Sequence, residues 1–443
     1  MVRYKKYEKY KDSGVEWIGE VPEGWKIAKI KRITRVKRGA SPRPIDDPIY
    51  FDDDGEYSWV RISDVTNSNM YLYSTEQKLS EVGSNLSVKL NPGEIFLSIA
   101  ATVGKPCITK IKCCIHDGFV YFPDYKGDVR YLFYLFEAGE AYKGLGKLGT
   151  QLNLNTDIVG SIPIPYISRL EQCAISNFLD QKTAEIDSLI AEKEKLIALL
   201  EEYRQTIITE AVTKGLNPNV KMKDSGVDWI GEIPEGWKIS KIKYQADVNK
   251  YTLSENTDPE LEINYIDIGS VNSKGEVTNV ETYMFENAPS RARRILRDGD
   301  TIVSTVRTYL KAITWFEKVE ENLICSTGFA VLSPKDTIHP KYLYYLLRST
   351  NYINEIVRRS KGVSYPAITA DEIGSLECLL PDLDEQKKIV KFIDCRLNEI
   401  DDVVREIKIL VEKLKEYRKS LIYEGVTGKI DVREYTAEES VTI

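Results

Sequence analysis

Histidine is almost missing from this chain: the 443 residues hold two, His116 and His339, and neither lies in an HxxxH or HxE context. That disfavours histidine-based acid–base catalysis and histidine-rich metal sites. The seven cysteines (Cys107, Cys113, Cys114, Cys173, Cys325, Cys378, Cys395) form no CxxC pair and share no repeating spacing. They read as reduced thiols of a cytoplasmic protein rather than a disulfide frame or a zinc site. No stretch approaches the ~20 apolar residues of a membrane span. The Lys- and Tyr-rich start, Met1 to Gly14, lacks the apolar core of a secretory signal. Positive charge is not in excess either, since the net charge is −7. A nucleic-acid binder usually carries a basic footprint, but local patches decide binding and a net charge is only their sum.

Enzyme signatures are wanting as well. Gly144-Leu145-Gly146-Lys147 lacks P-loop spacing, and Leu148 stands where Ser or Thr would coordinate magnesium. Asn91-Pro92-Gly93 lacks the second proline and the aromatic of an adenine-methyltransferase motif, and no strand–GxGxxG–helix unit is visible. Pro381-Asp382 with Glu385-x-Lys387 has a nuclease-like look that helix capping accounts for better. No intrinsic catalysis, metal site or cofactor is therefore expected in this chain.

What is present is a repeat. At ~150 residues per domain the length suggests about three domains, but the sequence divides into two related halves. Residues 11–31, KDSGVEWIGEVPEGWKIAKIK, return at 223–243 as KDSGVDWIGEIPEGWKISKIK, with 18 of 21 positions identical at an offset of 212. Downstream, Glu171-Gln172, Phe178, Glu185-Ile186-Asp187 and Glu202-Tyr203-Arg204 recur at an offset of 214 as Glu385-Gln386, Phe392, Glu399-Ile400-Asp401 and Glu416-Tyr417-Arg418. Weaker echoes between them, such as Gly118-Phe119 with Gly328-Phe329, drift through offsets of 206 and 210, as loop insertions would make them.

Each half ends in a long helical pattern. Ile175, Leu179, Lys182, Ile186, Leu189, Lys193, Leu196, Leu200, Tyr203 and Ile207 follow an alternating three–four spacing, with eight of ten apolar. Ile389, Ile393, Arg396, Ile400, Val403, Ile407, Leu410, Leu414, Tyr417 and Leu421 do the same, with nine of ten. Such spacing over four heptads is a coiled-coil seam. Capping boxes open both helices, Ser168-x-x-Glu171 and Asp382-x-x-Glu385, and glycines close them, Gly215 and either Gly425 or Gly428. At 1.5 Å per residue, the seam is a rod of roughly 50 Å. Such a helix alone would suit homodimerisation, but two equal helices in one chain can pair with each other. Antiparallel pairing puts Ile175 near Leu421 and Ile207 near Ile389.

The modules preceding the helices read as mixed α and β. Short β-type runs (Tyr57–Ile62, Glu94–Ile99, Ile263–Ile268, Thr301–Val306) alternate with Gly, Pro and Asn turns, and Tyr/Leu-rich helices begin near Tyr131 and Tyr342. Basic residues crowd 29–43 (Lys29, Lys31, Arg32, Arg35, Lys37, Arg38, Arg43) and recur as Arg291, Arg293, Arg294, Arg297, Arg307 and Lys311. Basic glycine-containing loops hold Lys143 and Lys147 in one half and Arg358, Arg359 and Lys361 in the other, and Lys147 and Lys361 correspond at the 214 offset. Such runs can be plain solvated surface. Their recurrence beside loop glycines and abundant tyrosine fits phosphate contacts with base-edge readers between them. The candidate DNA-contacting set is Arg38, Arg43, Lys105, Lys143, Lys147, Arg307, Lys311, Arg358, Arg359 and Lys361.

The paired Asp-Ser-Gly-Val-x-Trp-Ile-Gly-Glu-x-Pro-Glu-Gly-Trp segments, and the Glu-Gln…Glu-Ile-Asp…Glu-Tyr-Arg helices, resemble the specificity subunits of type I DNA restriction–modification enzymes across nearly the whole chain. The resemblance implies an α+β protein with a pseudo-twofold internal repeat. Two target-recognition domains (1–165 and 217–380) would alternate with two long helices (166–216 and 381–430) paired as an intramolecular antiparallel coiled coil, followed by a tail (431–443). It also implies a non-catalytic cytoplasmic subunit that reads a bipartite, asymmetric DNA target. Its expected partners are two methyltransferase subunits and restriction–translocase subunits, in which S-adenosylmethionine, ATP and magnesium would reside. The competing expectation from the residues alone is a tandem coiled-coil scaffold that binds only proteins, whose modules would show no continuous basic concavity.

Overall fold

The repeated segment folds the same way twice because its turn chemistry is local. Residues Tyr10–Asp12 and Glu20–Pro22 form an antiparallel hairpin, as do Met222–Asp224 and Glu232–Pro234. In the first, the Asp12 carboxylate accepts from the Gly14 N–H at 2.9 Å and Ser13 Oγ from Val15 N at 3.1 Å; Asp224 and Ser225 repeat both bonds at 2.9 and 3.2 Å. Such Asx and Ser turns need the left-handed glycines that follow, Gly14 at φ 69° and Gly226 at φ 70°. The hairpins bury Trp25 and Trp237. Trp25 Nε1 donates to Glu171 at 2.8 Å, whereas the Trp237 indole N–H has no partner among the described residues.

The computed structural model describes residues 4–142, 154–433 and 435. Five helices matter here: α1 (Val129–Glu137), α2 (Arg169–Lys214), α3 (Pro340–Arg348), α4 (Thr350–Arg359) and α5 (Leu383–Val426). The chain divides into two compact units. Unit 1 takes residues up to Lys193 and those from Ile409 onward, and unit 2 takes Glu194–Lys408, so each long helix gives one half to each unit.

Unit 1 holds strands β1 (Tyr57–Val60), β2 (Ile95–Ser98), β3 (Pro106–Thr109), β4 (Cys113–Ile115) and β5 (Phe119–Tyr121). One sheet runs Lys37–Arg38, β5, β2, β3, Tyr71–Leu72; the other runs Gln77–Leu79, β1, β4, Val88–Leu90, with β1 and β4 parallel. Unit 2 repeats the plan with β6 (Glu262–Ile266), β7 (Thr301–Ser304), β8 (Ile313–Trp315), β9 (Leu323–Ser326) and β10 (Phe329–Pro334). Its sheets run Ala246–Val248, β10, β7, β8 and Glu281–Met284, β6, β9, Ala292–Ile295, with β6 and β9 parallel. Registers match too: Ser98 opposes Phe119 and Ser304 opposes Phe329.

Each module is tied to the long helices by one set of polar contacts. Gln172 accepts from Asp128 N at 2.8 Å, and Gln386 accepts from His339 N at 2.7 Å. Tyr131 Oη donates to the Val426 carbonyl at 3.1 Å, and Tyr342 Oη to those of Leu379 and Val212 at 3.2 and 3.5 Å. Tyr134 donates to Asp180 and Tyr345 to Asp394. A buried hydroxyl needs such an acceptor, because an unmet one costs about 1–3 kcal/mol.

Within both units the long helices run antiparallel. In unit 1 Arg418 pairs with Asp187 at 2.8 Å and Leu179 packs on Gly425; in unit 2 Arg204 pairs with Asp401. Both ion pairs join equivalent positions, 214 residues apart. Ile175 and Leu421 share the core of unit 1. Ile207 packs with Ile400 and Val404, while Ile389 lies in the cluster of Ile208, Ala211 and Val212, a correction to the expected Ile207–Ile389 neighbourhood.

A larger correction concerns the second column of the seam. Positions 179, 183, 186, 190, 193, 197, 200, 204, 207 and 211 of α2 are buried or half-buried, and so are 393, 397, 400, 404, 407, 411, 414, 418, 421 and 425 of α5. One expected column lies among them (Leu179, Ile186, Lys193, Leu200, Ile207; Ile393, Ile400, Ile407, Leu414, Leu421). The other is displaced by one residue: Leu189, Leu196, Tyr203, Val403 and Leu410 are exposed, and Ile190, Ile197, Arg204, Val404 and Val411 turn inward. Tyr417 is half-buried, its hydroxyl 3.3 Å from that of Tyr4. Steps of three and of four both keep one helix face, so adjacent apolar pairs such as Val403-Val404 leave the column undecided in the sequence.

The caps differ in detail as well. Ser168 Oγ accepts from Glu171 N at 3.2 Å and Asp382 from Glu385 N at 2.8 Å, but the Glu171 carboxylate is taken by Tyr7 and Trp25 rather than returned to the cap. Gly215 and Gly428 are the left-handed residues beyond the helix ends; Gly425 is helical and faces Leu179.

Candidate nucleic-acid interface

In both units a loop beyond the central strand is held by one device. Ser98 Oγ donates to the Ala100 carbonyl at 2.9 Å after β2, and Ser304 Oγ to that of Val306 at 2.7 Å after β7. The next residue is left-handed in each, Ala101 and Arg307, both at φ 52°. Ile99 N bonds Gly118 O at 2.8 Å, and Thr305 N bonds Gly328 O at 2.8 Å, which ties each loop to the following strand turn.

In unit 2 four loops converge on this point. Arg307 N donates to Pro366 O at 2.8 Å, Ile368 N to Thr305 O at 2.9 Å, and Thr327 N to Arg291 O at 2.8 Å. The hydroxyls of Thr308 and Ser360 lie 2.7 Å apart. Residues 291, 305–311, 327–328 and 360–368 are thereby joined in one cluster of loops. Arg291, Arg307, Lys311 and Lys361 are exposed there, with Tyr309, Val363 and Tyr365. Among the described residues none of the four cations is paired with a carboxylate. The Arg307 guanidinium lies over the Tyr365 ring, 4.6 Å from its centroid. Lys311 is left-handed as well, at φ 57°.

Other predicted residues of unit 2 are engaged within the protein. Arg358 and Arg359 both pair at 2.7 Å with the buried Glu355, which holds that carboxyl below the usual carboxylate range. They stitch the end of α4; Arg359, at 28% exposure and also 3.9 Å from Glu377, has little left to offer phosphate, whereas Arg358 keeps 70% of its side chain in solvent. Arg293 and Arg297 sit over the rings of Phe285 and Tyr251, and Arg294 donates to Thr252.

In unit 1, Arg38 and Arg43 come together on Asp117. Arg38 Nε donates to the Asp117 carbonyl at 2.5 Å, Arg43 lies 3.3 Å from its carboxylate, and Ser41 Oγ donates to it at 3.1 Å. Burial works against the Asp117 carboxylate, yet Ser41 and the two arginine charges hold it below its ordinary range. Both guanidiniums stay mostly in solvent, at 59% and 79% exposure, so each can still meet a phosphate. Lys105, which precedes β3 as Ala312 precedes β8, bonds the Thr66 carbonyl at 2.8 Å and borders a cleft of about 390 Å³ whose lining includes Glu137, Asp180, Asp187 and Arg418. Lys143 and Lys147 lie outside the described residues.

Tyr365, Tyr309, Asp117 and the two loop serines were not singled out in the sequence, although Ser98 and Ser304 recur at the drifting 206 offset. Among the described residues no group of three or more His, Cys, Asp or Glu could hold a metal ion, and no helix is long and apolar enough to cross a membrane. Cys107, Cys113, Cys114, Cys325 and Cys378 are buried, and burial pushes the Cys378 thiol up to about 12, an inert packing sulfur.

Comparison with known proteins gives the same pattern twice. The family model described as the type I restriction modification DNA specificity domain matches residues 22–199 and again 234–413. The MjaVIII type I restriction enzyme specificity subunit of Methanocaldococcus jannaschii is 24% identical over 93% of this chain and 94% of its own. The EcoKI specificity subunit of Escherichia coli K12 is 22% identical over 93% and 90%. A structure titled for complex assembly and conformational transition of the type I R-M system superposes with TM-score 0.68 at 16% identity, covering 93% of this chain and 99% of that one. The HsdS subunit of Thermoanaerobacter tengcongensis superposes at 0.52, also at 16% identity, over 93% and 98%. These structural likenesses speak for the fold; the doubled family match extends over most of the sequence, and the chain belongs to the type I restriction–modification DNA specificity domain family.

Proposed function

We propose that this chain is the DNA-reading subunit of a type I restriction–modification complex and recognises a bipartite, asymmetric target. The carrying observation is one scaffold used twice with different exposed side chains. The serine-locked loop after β2 presents Ala101, and its counterpart after β7 presents Arg307. A constant backbone with changed side chains suits the reading of two different half-sites by base-edge contacts. The unpaired cations beside Arg307, and Arg38 and Arg43 in unit 1, would serve the phosphates. On this reading the acidic total reflects the helices and outer faces, and partner subunits complete the clamp.

The chain would contribute no catalysis and bind no cofactor. Methyltransferase subunits would bring S-adenosylmethionine, restriction subunits ATP and magnesium, all in the cytoplasm. Helices α2 and α5 would act as the ruler that spaces the half-sites. Repeating Thr183-Ala184-Glu185-Ile186 within α2 adds ~6 Å and turns the helix by ~400°, a net seam shift of only ~40°. Mapping methylated adenines in cells carrying that variant should then show both half-sites retained with a gap about two base pairs wider, at ~3.4 Å per base pair. Retained methylation with an unchanged gap refutes the ruler.

A further inference from the structure

The two units supply an internal comparison that bears on what one side chain does. Their loops after β2 and β7 share the serine lock, the backbone bond to Gly118 or Gly328, and the left-handed residue at φ 52°. At that residue the side chain changes from the methyl of Ala101 to the guanidinium of Arg307, and the loop after β7 is one residue longer. Left-handed backbone is uncommon outside glycine, asparagine and aspartate. The loop imposes this conformation in both units, whatever the side chain, and in unit 2 it carries an exposed arginine.

The geometry points to Arg307 as a base reader: it takes the O6 and N7 edge of a guanine in the major groove of the half-site bound by unit 2. This rests on the DNA-recognition reading above and assigns one of its contacts. Three features separate Arg307 from the other basic residues. Arg38, Arg43, Arg358 and Arg359 each lie on a carboxylate, whereas Arg307 is paired with none among the described residues. Its guanidinium lies over the Tyr365 ring, with Cζ 4.6 Å from the centroid, a contact that steadies the group without engaging its N–H donors on an acceptor. Tyr365 is itself 61% exposed, so the pair stands at the surface rather than in the core. A phosphate contact needs a charge but no fixed plane, and Lys311 and Lys361 already supply charge beside it. A guanine edge needs two parallel donors on one rigid group, and the Tyr365 ring restricts how that group can turn.

The test is selection from random-sequence DNA duplexes with the full chain assembled with its methyltransferase subunits. Arg307→Ala is structurally safe, because alanine holds the same φ at position 101. The wild type should enrich a two-part motif with an invariant guanine in one half. Arg307→Ala should relax that single base pair by about tenfold or more and leave the other positions intact. Tyr365→Leu should weaken preference at the same base pair, and Lys361→Ala should lower the salt slope by about one with no change of motif. A motif unchanged in Arg307→Ala, with the salt slope lowered by about one, would make Arg307 a phosphate contact and overturn the assignment. Relaxation at a base pair without guanine overturns it too. A wild-type complex that enriches no motif overturns the recognition reading along with it.

Discussion

Val403 and Val404 are the same residue one step apart on α5, and they separate the two possible seams. Val404 is 6% exposed and packs with Ile207 and Ile400; Val403 is 44% exposed. Truncating valine to alanine removes the equivalent of two methylenes, ~1.6 kcal/mol of transfer free energy at a buried site, with a small cavity term added. About half of that transfer is at stake at Val403. Alanine returns roughly 0.5 kcal/mol of helix propensity at either position. Val404→Ala should therefore cost about 1.5 kcal/mol and Val403→Ala a few tenths. Unfolding of a chain with two units need not be two-state, so a global free energy is a poor readout. Native-state hydrogen exchange of the α5 amides around 400–411 reports the local opening directly. A gap of roughly 1 kcal/mol makes opening five- to tenfold faster in Val404→Ala than in Val403→Ala. Equal exchange in the two variants, or faster exchange in Val403→Ala, would refute the displaced seam.

Other outcomes follow from the loops. Lys311→Ala should weaken binding of the full complex to all DNA sequences alike and lower the salt slope by about one, whereas Arg359→Ala should leave the slope unchanged because Glu355 and Glu377 already hold that charge and the side chain is mostly covered; titrations of binding against salt would show a slope change for Arg359→Ala if this were wrong. Gly39 sits where a Cβ would lie 2.2 Å from the His116 carbonyl and 2.7 Å from that of Ile115. Gly39→Ala should force backbone apart at a cost of about 1–3 kcal/mol, seen as lost exchange protection in β4 and β5; unchanged protection would refute the crowding.

The repeat, both long helices and the two-module plan were legible because they rest on local or periodic signals. The Asp-Ser-Gly turn closes on its own backbone, and a three–four spacing declares a helix whatever its partner. The seam's second column was not legible, since Val403-Val404 and Leu410-Val411 are apolar on both candidates. Arg204 and Arg418 also concealed it, because a charged residue in a seam is acceptable only with a partner such as Asp401 or Asp187, 197 and 231 residues away. The same blindness affected the basic loops in part. Of Arg358 and Arg307, one is held by a carboxylate within its own helix and the other by a tyrosine ring across a loop. The first is a local signal, since Glu355 stands three residues before Arg358 and four before Arg359; the second depends on how two loops meet and leaves no mark in the sequence.

The indole of Trp25 is anchored on Glu171, which also receives Tyr7, while the indole N–H of Trp237 is buried without a partner among the described residues. Such an unmet donor carries a penalty of about 1–3 kcal/mol. The copy at 11–31 leaves a different indole unmet, since the buried Trp17 N–H has no partner among the described residues either. Two hairpins of nearly identical sequence thus each carry one unsatisfied indole donor, at different tryptophans. Duplication has kept the fold of the clamp while moving the place of its weak bond.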